Sequence, residues 1–211
     1  MTANRFAPNG SSPRYAASTD HDRSPPLRAL LTESPIIPAL RDPLLLDRAL
    51  AAHGRIIYLL CGGPGNLDDL VGRIKGAGKS PIVNIDLISG FSRDKAALTY
   101  LAERGVEGII STHAECLNQA RSLGLYVIQR TFLLDSAAMA NICSQIKSGR
   151  VDAVEVLPAL ALPKLIPSAK EIAPDIALVG GGLISTMEEI TTLLDRGVQS
   201  VSVSDPQLWI K

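Results

Sequence analysis

The chain has 211 residues, of which 46% are hydrophobic and 20% are charged. A chain of this length and composition can bury a full core, most simply as one globular domain with a tail. Its 21 basic and 21 acidic residues cancel, so the summed charge gives no attraction to nucleic acid or to a membrane surface, although a local basic patch is compatible with neutrality. No segment has the pattern of a signal peptide, and no apolar run approaches the roughly 18 residues of a membrane span.

The cysteines are three in number, Cys61, Cys116 and Cys143, and no two form a Cys-x-x-Cys pair. This spacing argues against a disulfide framework and against a structural zinc site. We therefore expect reduced thiols in a cytoplasmic protein.

The N-terminal segment is rich in proline, serine, asparagine and charge and has almost no hydrophobic periodicity. Such a segment buries too little apolar surface to offset its conformational entropy. We predict a disordered tail over residues 1–34 and a folded domain over residues 35–211.

From residue 35 onward, short apolar runs alternate with amphipathic stretches that open on capping residues and close on glycine. Eight such runs are present: PIIPAL (35–40), RIIYLL (55–60), PIVNIDLI (81–88), GIIST (108–112), LYVIQR (125–130), VDAVEVLP (151–158), IALVGG (176–181) and VQSVSVS (198–204). Near-continuous apolar runs are typical of parallel strands that are buried on both faces. Eight strand-helix units predict a single-domain (β/α)8 TIM-type barrel, with an open doubly wound sheet as the alternative.

Capping patterns mark the helices between these runs. Predicted helix starts are Asp42 before Pro43, Asn66, and Asp135 or Ser136, together with the capping boxes Thr112 to Glu115 and Ser185 to Glu188. A capping box satisfies two exposed N–H groups at once, and proline suits the first helical position. Glycines at 54, 105, 124 and 197 match left-handed helix ends.

Polar residues interrupt the apolar runs near the ends of the strands, where side chains of a barrel converge on its C-terminal mouth. They are Arg41, then Asn84 and Asp86 on one face of strand three, Ser111, Thr112 and His113, Gln129 and Arg130, and Glu155. A carboxylate buried in such a strand needs a partner. Arg130 and Arg41 are the candidate partners of Glu155 and Asp86, and a purely structural ion pair is the alternative role for any one residue.

The glycines of "LVGGGLIST" follow strand seven, and the serines of "VSVSD" end strand eight, where barrels commonly bind phosphate. Glycine lets a ligand oxygen approach backbone N–H groups, and the helix opening at Ser185 adds partial positive charge. We predict phosphate contacts from Gly181, Gly182, Ser202 and Ser204, with a tight turn as the alternative reading of the glycines.

A bound metal is not expected, because the three histidines are scattered. Asp86 and Glu155 holding Mg²⁺ through water is a less favoured alternative. No cofactor is expected.

Several blocks resemble the glycerol-3-phosphate responsive antiterminator family in order and spacing from Ser34 to Lys211. These blocks are SPIIPALRD, DLISG, GIISTHAECLNQARSLGLYVIQRTFLLDSAAM, VDAVEVLP, GGLIST and VSVSDPQLW. The resemblance implies a barrel that binds glycerol 3-phosphate and then contacts the leader mRNA of glycerol-use genes, preventing premature termination. The positions that match the family pattern are Arg41, Asp86, Ser111, Thr112, Gln129, Arg130, Asp135, Glu155, Pro158, Gly181, Gly182 and Ser204.

The chain departs from the family pattern at four positions. Asn84 stands where histidine is frequent, His113 where lysine or arginine is common, Ala159 where glycine follows EVLP, and Val203 in a motif richer in serine and threonine. These changes leave the phosphate loops largely intact and remove a cation beside the mouth.

Two functions therefore stand side by side at the level of sequence. The first is a ligand-gated regulator that binds RNA. The neutral net charge and the aromatic content of 4% argue against it, because they offer little attraction to phosphates and few rings for stacking bases. The second is an isomerase, lyase or prenyltransferase acting on a phosphosugar or glycerol phosphate, with Asp86 or Glu155 as general base or metal ligand. No lysine nucleophile or histidine base stands at the inner strand ends, which favours the regulator. RNA-contacting residues are not identified, and a homodimer is one option for the assembly.

Overall fold

The computed structural model describes residues 25–209. Eight parallel strands pair in chain order and close into a barrel, β8 returning to β1. The strands are β1 (Ile36–Leu40), β2 (Ile56–Leu59), β3 (Ser80–Asn84), β4 (Gly108–Ser111), β5 (Tyr126–Phe132), β6 (Ala153–Leu157), β7 (Ala177–Gly181) and β8 (Ser200–Val203). The predicted (β/α)8 barrel is thereby confirmed.

Eight α-helices accompany these strands within residues 25–209. They are α1 (Leu27–Thr32), α2 (Leu46–Ala51), α3 (Leu67–Gly76), α4 (Lys95–Glu103), α5 (Ala114–Ser122), α6 (Ser136–Lys147), α7 (Ile166–Ile172) and α8 (Met187–Asp195). Short 3₁₀ helices span Pro43–Leu45, Ala159–Lys164 and Pro206–Leu208. None of the helices within residues 25–209 has the length and apolar character needed to cross a membrane.

Side chains alternate between the interior of the barrel and the layer beneath the helices. In β3, Ile82 packs in the inner apolar cluster with Tyr58, whereas Val83 packs in an outer cluster with Leu70 and other helix residues. The two-residue period of a strand therefore sends Asn84 inward after Ile82.

Helix α1 corrects the predicted boundary of the tail. Leu27, Leu30 and Leu31 are 0–3% exposed and belong to the inner cluster, because their i, i+3, i+4 spacing gives a short helix one apolar face. The backbone around it is also tied down, since Ser200 Oγ donates to the Leu31 carbonyl and the Arg55 N–H donates to Ser34 Oγ. Residues 27–34 are thus part of the barrel domain, whereas residues 1–24 of the predicted tail lie outside the described residues.

The helix starts are partly as predicted. Asp42 and Asp135 accept hydrogen bonds from Leu44 N and Ala138 N, as capping residues should, although Asp42 opens a 3₁₀ helix. All four glycines predicted to end helices have positive φ. Asn66 makes no capping bond, because its Oδ1 accepts from Gly63 N instead.

Neither predicted capping box has the predicted residues. The box at α8 is formed by Thr186 and Glu189, one residue later than predicted. The box at α5 is absent, because its N-cap is His113 and the side chain of Thr112 bonds to Asp86. Cys61, Cys116 and Cys143 are all free and form no disulfide bond with one another.

Candidate functional site

A buried ion pair lies inside the barrel, at the end of the strands where the mouth opens. Arg130 Nε is 2.6 Å from Glu155 Oε2, and the two side chains are 9% and 0% exposed. Ser202 Oγ donates to Glu155 Oε1 at 2.6 Å. The predicted pairing of Arg130 with Glu155 is confirmed. Arg130 uses only its Nε in this contact, so its two terminal nitrogens make no hydrogen bond within residues 25–209.

Ser202 therefore has a different partner from the predicted one. Its hydroxyl proton points to a carboxylate, and a phosphate beside it would lie next to the negative charge of Glu155. The backbone of Gly181 passes close by, because a Cβ built on that residue would lie 2.8 Å from Ser202 Oγ and 3.0 Å from Glu155 Oε1. A side chain at position 181 would clash with the contact between Glu155 and Ser202, so packing alone requires glycine there.

The other two glycines of this junction have separate explanations. A Cβ at Gly180 would lie 3.0 Å from the Cβ of Ala159, so Gly180 allows β7 to pack against the 3₁₀ helix after β6. Gly182 has φ +72° and Leu183 has φ +57°. Leu183 carries a side chain in the left-handed region, which residues other than glycine rarely adopt, and it is 79% exposed.

The N-terminus of α8 is already occupied by a carboxylate. Glu189 Oε2 accepts from Ser185 N at 2.7 Å, from Thr186 N at 3.1 Å and from the Ser185 hydroxyl. These bonds lower the pKa of Glu189, the backbone bond from Ser185 most strongly. An acidic side chain of the same helix therefore occupies the N–H groups of Ser185 and Thr186, which the sequence predicted would attract a phosphate.

Donors for an anion remain at the outer corner where β7, β8 and β1 end. The N–H groups of Leu183 and Ile184 make no hydrogen bond within residues 25–209. Ser204 is exposed just after β8. Arg41 is exposed just after β1, which pairs with β8, and has no hydrogen-bonding or charged partner in the described chain. We call Gly182, Leu183, Ser204 and Arg41 the outer corner.

Asp86 forms a second centre on the opposite side of the mouth. It lies two residues beyond the end of β3, in a turn, rather than within the strand as predicted. Its oxygens accept from the Thr112 N–H at 2.7 Å, from the hydroxyls of Ser111 and Thr112, and from Arg93 Nε at 2.7 Å. The partner of Asp86 is thus Arg93 and not Arg41, and the network joins the ends of β3 and β4.

These contacts set the charge state of Asp86. Burial by itself raises its pKa, but the hydrogen bonds from Thr112, Arg93 and Ser111 together outweigh burial and lower it. The carboxylate is therefore held ionised and already has four donors. His113, whose side chain is 53% exposed, lies with Nδ1 3.4 Å from Asp86 Oδ1.

Gln129 lies outside this arrangement. The alternation of β5 sends Ile128 and Arg130 inward and Gln129 outward, where it lines a cleft of about 200 Å³ between α5 and α6. Its Nε2 donates to the carbonyls of Thr112 and Arg130. Gln129 is thus bonded to the backbone of neighbouring predicted ligand residues, but its side chain faces the helices and not the barrel interior.

Sequence reasoning missed two residues of the mouth. Arg93 gave no signal, because it lies in a loop with no periodicity. Tyr58 belongs to an apolar run, and only its inward register in β2 reveals it. Within residues 25–209, no group of three or more His, Cys, Asp or Glu side chains is arranged to hold a metal ion.

Comparison with known proteins places the chain among regulators. The family model described as glycerol-3-phosphate responsive antiterminator matches residues 36–209. The uncharacterized protein YgcP of Escherichia coli (strain K12) is 31% identical over 185 residues, covering 87% of this chain and 96% of that protein.

Two solved structures are similar along nearly their whole length. A glycerol uptake operon antiterminator-related protein from Thermotoga maritima has a TM-score of 0.74 and 29% identity, covering 83% of this chain and 98% of that one. A glycerol uptake operon antiterminator regulatory protein from Listeria monocytogenes has a TM-score of 0.74 and 27% identity, covering 82% and 94%. Enzyme barrels at 10–16% identity share the fold alone. With the family model matching the entire barrel from β1 to the last 3₁₀ helix, this chain belongs to the glycerol-3-phosphate responsive antiterminator family, a family of regulators.

Proposed function

We propose that the protein binds glycerol 3-phosphate at the barrel mouth and, when loaded, contacts the leader mRNA of glycerol-use genes in the cytoplasm to prevent termination. The observation that carries this proposal is the outer corner. It combines an exposed arginine with N–H groups and a hydroxyl at the end of the barrel where β7 and β8 leave the sheet, which is the usual location of phosphate in such barrels.

The charges of the mouth favour this placement of the phosphate over a deeper one. Arg130 and Glu155 neutralise each other inside the barrel. Asp86 and Arg93 do so at the far side of the mouth. Arg41 has no acidic partner among residues 25–209, so its guanidinium is available to donate charged hydrogen bonds to a phosphate at this corner.

Contact with RNA is supported by the exposed side chains around the mouth. Phe132 ends β5 and is 50% exposed, and an exposed aromatic ring offers a stacking surface to an unpaired base. Other exposed apolar side chains lie in the loops, 3₁₀ helices and first helical turn that follow the strands, namely Leu44, Leu87, Leu134, Leu160, Leu183 and Met187. A ligand bound beneath these loops can order them, and by linkage RNA then tightens the binding of ligand to the same degree.

Thermal unfolding of the full chain with and without glycerol 3-phosphate tests the ligand. Ligand at about 100 times its Kd is expected to add roughly 2.7 kcal/mol to the free energy of unfolding. Arg41→Ala should weaken binding about tenfold or more, as expected for a charged hydrogen bond, whereas Arg48→Ala on the exposed surface of α2 should not change it. Equal affinity of the two variants for glycerol 3-phosphate would show that the phosphate does not bind at the outer corner.

Binding to a glycerol-operon leader RNA tests the regulator. Affinity should rise when glycerol 3-phosphate is present and fall as salt is raised. Turnover of glycerol 3-phosphate, or RNA binding that is indifferent to it, would contradict the proposal and favour an enzyme.

A further inference from the structure

Two buried polar atoms in the barrel have no hydrogen-bond partner within residues 25–209: the hydroxyl of Tyr58 and the side-chain nitrogen Nδ2 of Asn84. Both residues are 0% exposed. Buried polar groups are nearly always paired, because leaving one unpaired costs its full desolvation penalty. Two such groups on neighbouring strands therefore call for a common explanation.

The orientation of Asn84 is fixed by its other side-chain atom. Asn84 Oδ1 accepts from the Asp86 N–H at 3.0 Å. The amide oxygen is thus used to hold the turn after β3, and Nδ2 remains as a donor. Because Ile82 faces the barrel interior and Val83 the helices, Asn84 faces the interior as well.

Strand register brings Tyr58 and Asn84 to the same patch of the inner wall. Tyr58 is the partner of Ile82 across β2 and β3, and Asn84 follows Ile82 by two residues on the same face. Across β4 and β5, Asn84 is opposite Ile110 and Ile110 is opposite Ile128, two residues before Arg130. The free nitrogens of Arg130 thus lie in the same polar zone as the two unpaired atoms.

The chemistry of this zone is that of donors without a net charge. The hydroxyl of Tyr58, Nδ2 of Asn84 and the terminal nitrogens of Arg130 all donate. Burial, and after it the nearby Glu155 carboxylate, raises the pKa of Tyr58 well above its ordinary value, so its hydroxyl keeps its proton. The paired charges of Arg130 and Glu155 cancel. Neutral oxygens that accept hydrogen bonds fit here, whereas a phosphate dianion would lie against Glu155.

We infer that Tyr58 and Asn84 form a hydroxyl-reading floor of the ligand site, donating to the glycerol oxygens of the ligand while its phosphate stays at the outer corner. This inference rests on the proposed function, and it fixes the direction of the ligand in the mouth. Tyr58 and Asn84 are then specificity-determining residues, since a site built to bond a hydroxyl rejects an analogue that lacks it.

The test compares glycerol 3-phosphate with propyl phosphate, which carries the same charge and no hydroxyl. The wild-type chain should bind glycerol 3-phosphate more tightly. Tyr58→Phe should reduce that preference about five- to tenfold, the usual effect of one lost hydrogen bond, and leave the affinity for propyl phosphate unchanged. Asn84→Leu, which has a similar volume and lacks the donor, should reduce the same preference without adding a charge, although it also loses the bond from the Asp86 N–H and should melt lower.

The melting temperature without ligand separates this role from a structural one. Tyr58→Phe removes an unpaired buried hydroxyl, so its Tm should equal or exceed that of the wild type. Tyr126→Phe is the matched control, because Tyr126 is also in the inner cluster but its hydroxyl donates to the Pro25 carbonyl at the closed end of the barrel. It should melt lower and keep the ligand preference.

Three results would overturn the inference. An equal loss of affinity for both phosphates in Tyr58→Phe, with a lower Tm, would show a structural role. If the wild-type chain bound both phosphates equally, the role of Tyr58 and Asn84 would be rejected, but the phosphate site at the outer corner would not. Wild-type chain that binds neither would remove the proposed function together with the floor.

Discussion

Glu155 has no exposed surface, and both oxygens of its carboxylate accept hydrogen bonds, from Arg130 and from Ser202. Removing one partner of a buried ion pair leaves the other charge uncompensated. At the residue scale, a substitution that removes either partner of this buried pair should therefore be strongly destabilising.

Glu155→Gln should lower the free energy of unfolding by about 3–5 kcal/mol, because Arg130 then stays buried without a counter-charge. Urea denaturation at pH 7 measures it. The control is Glu107→Gln, which breaks the half-exposed pair with Lys75 and should cost only about 0–1 kcal/mol. Similar costs for the two variants would contradict the role assigned to the buried pair.

Asp86 leads to a prediction about pH. Its pKa is lower in the folded protein than in the unfolded chain, where it is about 3.9. The stability that it contributes is therefore present above about pH 4 and is lost as the pH falls through the folded pKa.

Asp86→Asn should consequently be less stable than the wild type at pH 7, and the difference should shrink as the pH falls below about 4. Thermal unfolding of both chains between pH 7 and pH 3 measures this. Asp69→Asn, an exposed residue of the first turn of α3, serves as the control. A difference between wild type and Asp86→Asn that stays constant over this range would contradict the assigned pKa shift.

At the scale of the element, α8 shows how a small error of register changes an interpretation. Thr186 and Glu189 form the capping box, and Glu189 fills the N–H groups that a phosphate would otherwise use. Ser and Thr are both good N-caps, and glutamates stand at 188 and 189, so the sequence pattern fits either register. Only the extended backbone of Thr186 decides between them.

Thr186→Ala should lower the free energy of unfolding by about 1 kcal/mol through loss of the cap. Thr192→Ala, an exposed position of the same helix without a side-chain hydrogen bond among the described residues, should be neutral or slightly stabilising because alanine favours the helix. Chemical denaturation of the pair measures both. Equal effects would place the N-cap elsewhere.

At the scale of the whole molecule, α1 closes the end of the barrel opposite the mouth. Leu31 is 0% exposed within the inner cluster, and truncating a buried leucine costs about 2–5 kcal/mol. Leu31→Ala should lose that much in urea denaturation, whereas Leu44→Ala, 89% exposed at the mouth, should lose almost nothing. If Leu31→Ala left the free energy of unfolding unchanged, residues 27–34 would not belong to the barrel domain.

Much of the architecture was predictable because parallel strands buried on both faces leave a strong apolar signal in the chain. All eight runs became strands within one to four residues of the expected bounds, the third run ending four residues early at Asn84. The short helix at Leu27 was missed because one i, i+3, i+4 set of leucines directly after two prolines is too short to stand out from the polar segment before it.

The sequence alone determined the fold, the family and the pairing of a buried glutamate with an arginine, since each follows from patterns carried by neighbouring residues. Only the tertiary structure decided which polar residues meet. In the folded barrel, Gln129 faces outward, Asp86 pairs with Arg93, and Ser202 bonds to Glu155. Buried atoms of Tyr58 and Asn84 have no hydrogen-bond partner among residues 25–209. The physical reason is that strand register and barrel closure set these contacts, and neither can be derived from residues that are neighbours in the sequence.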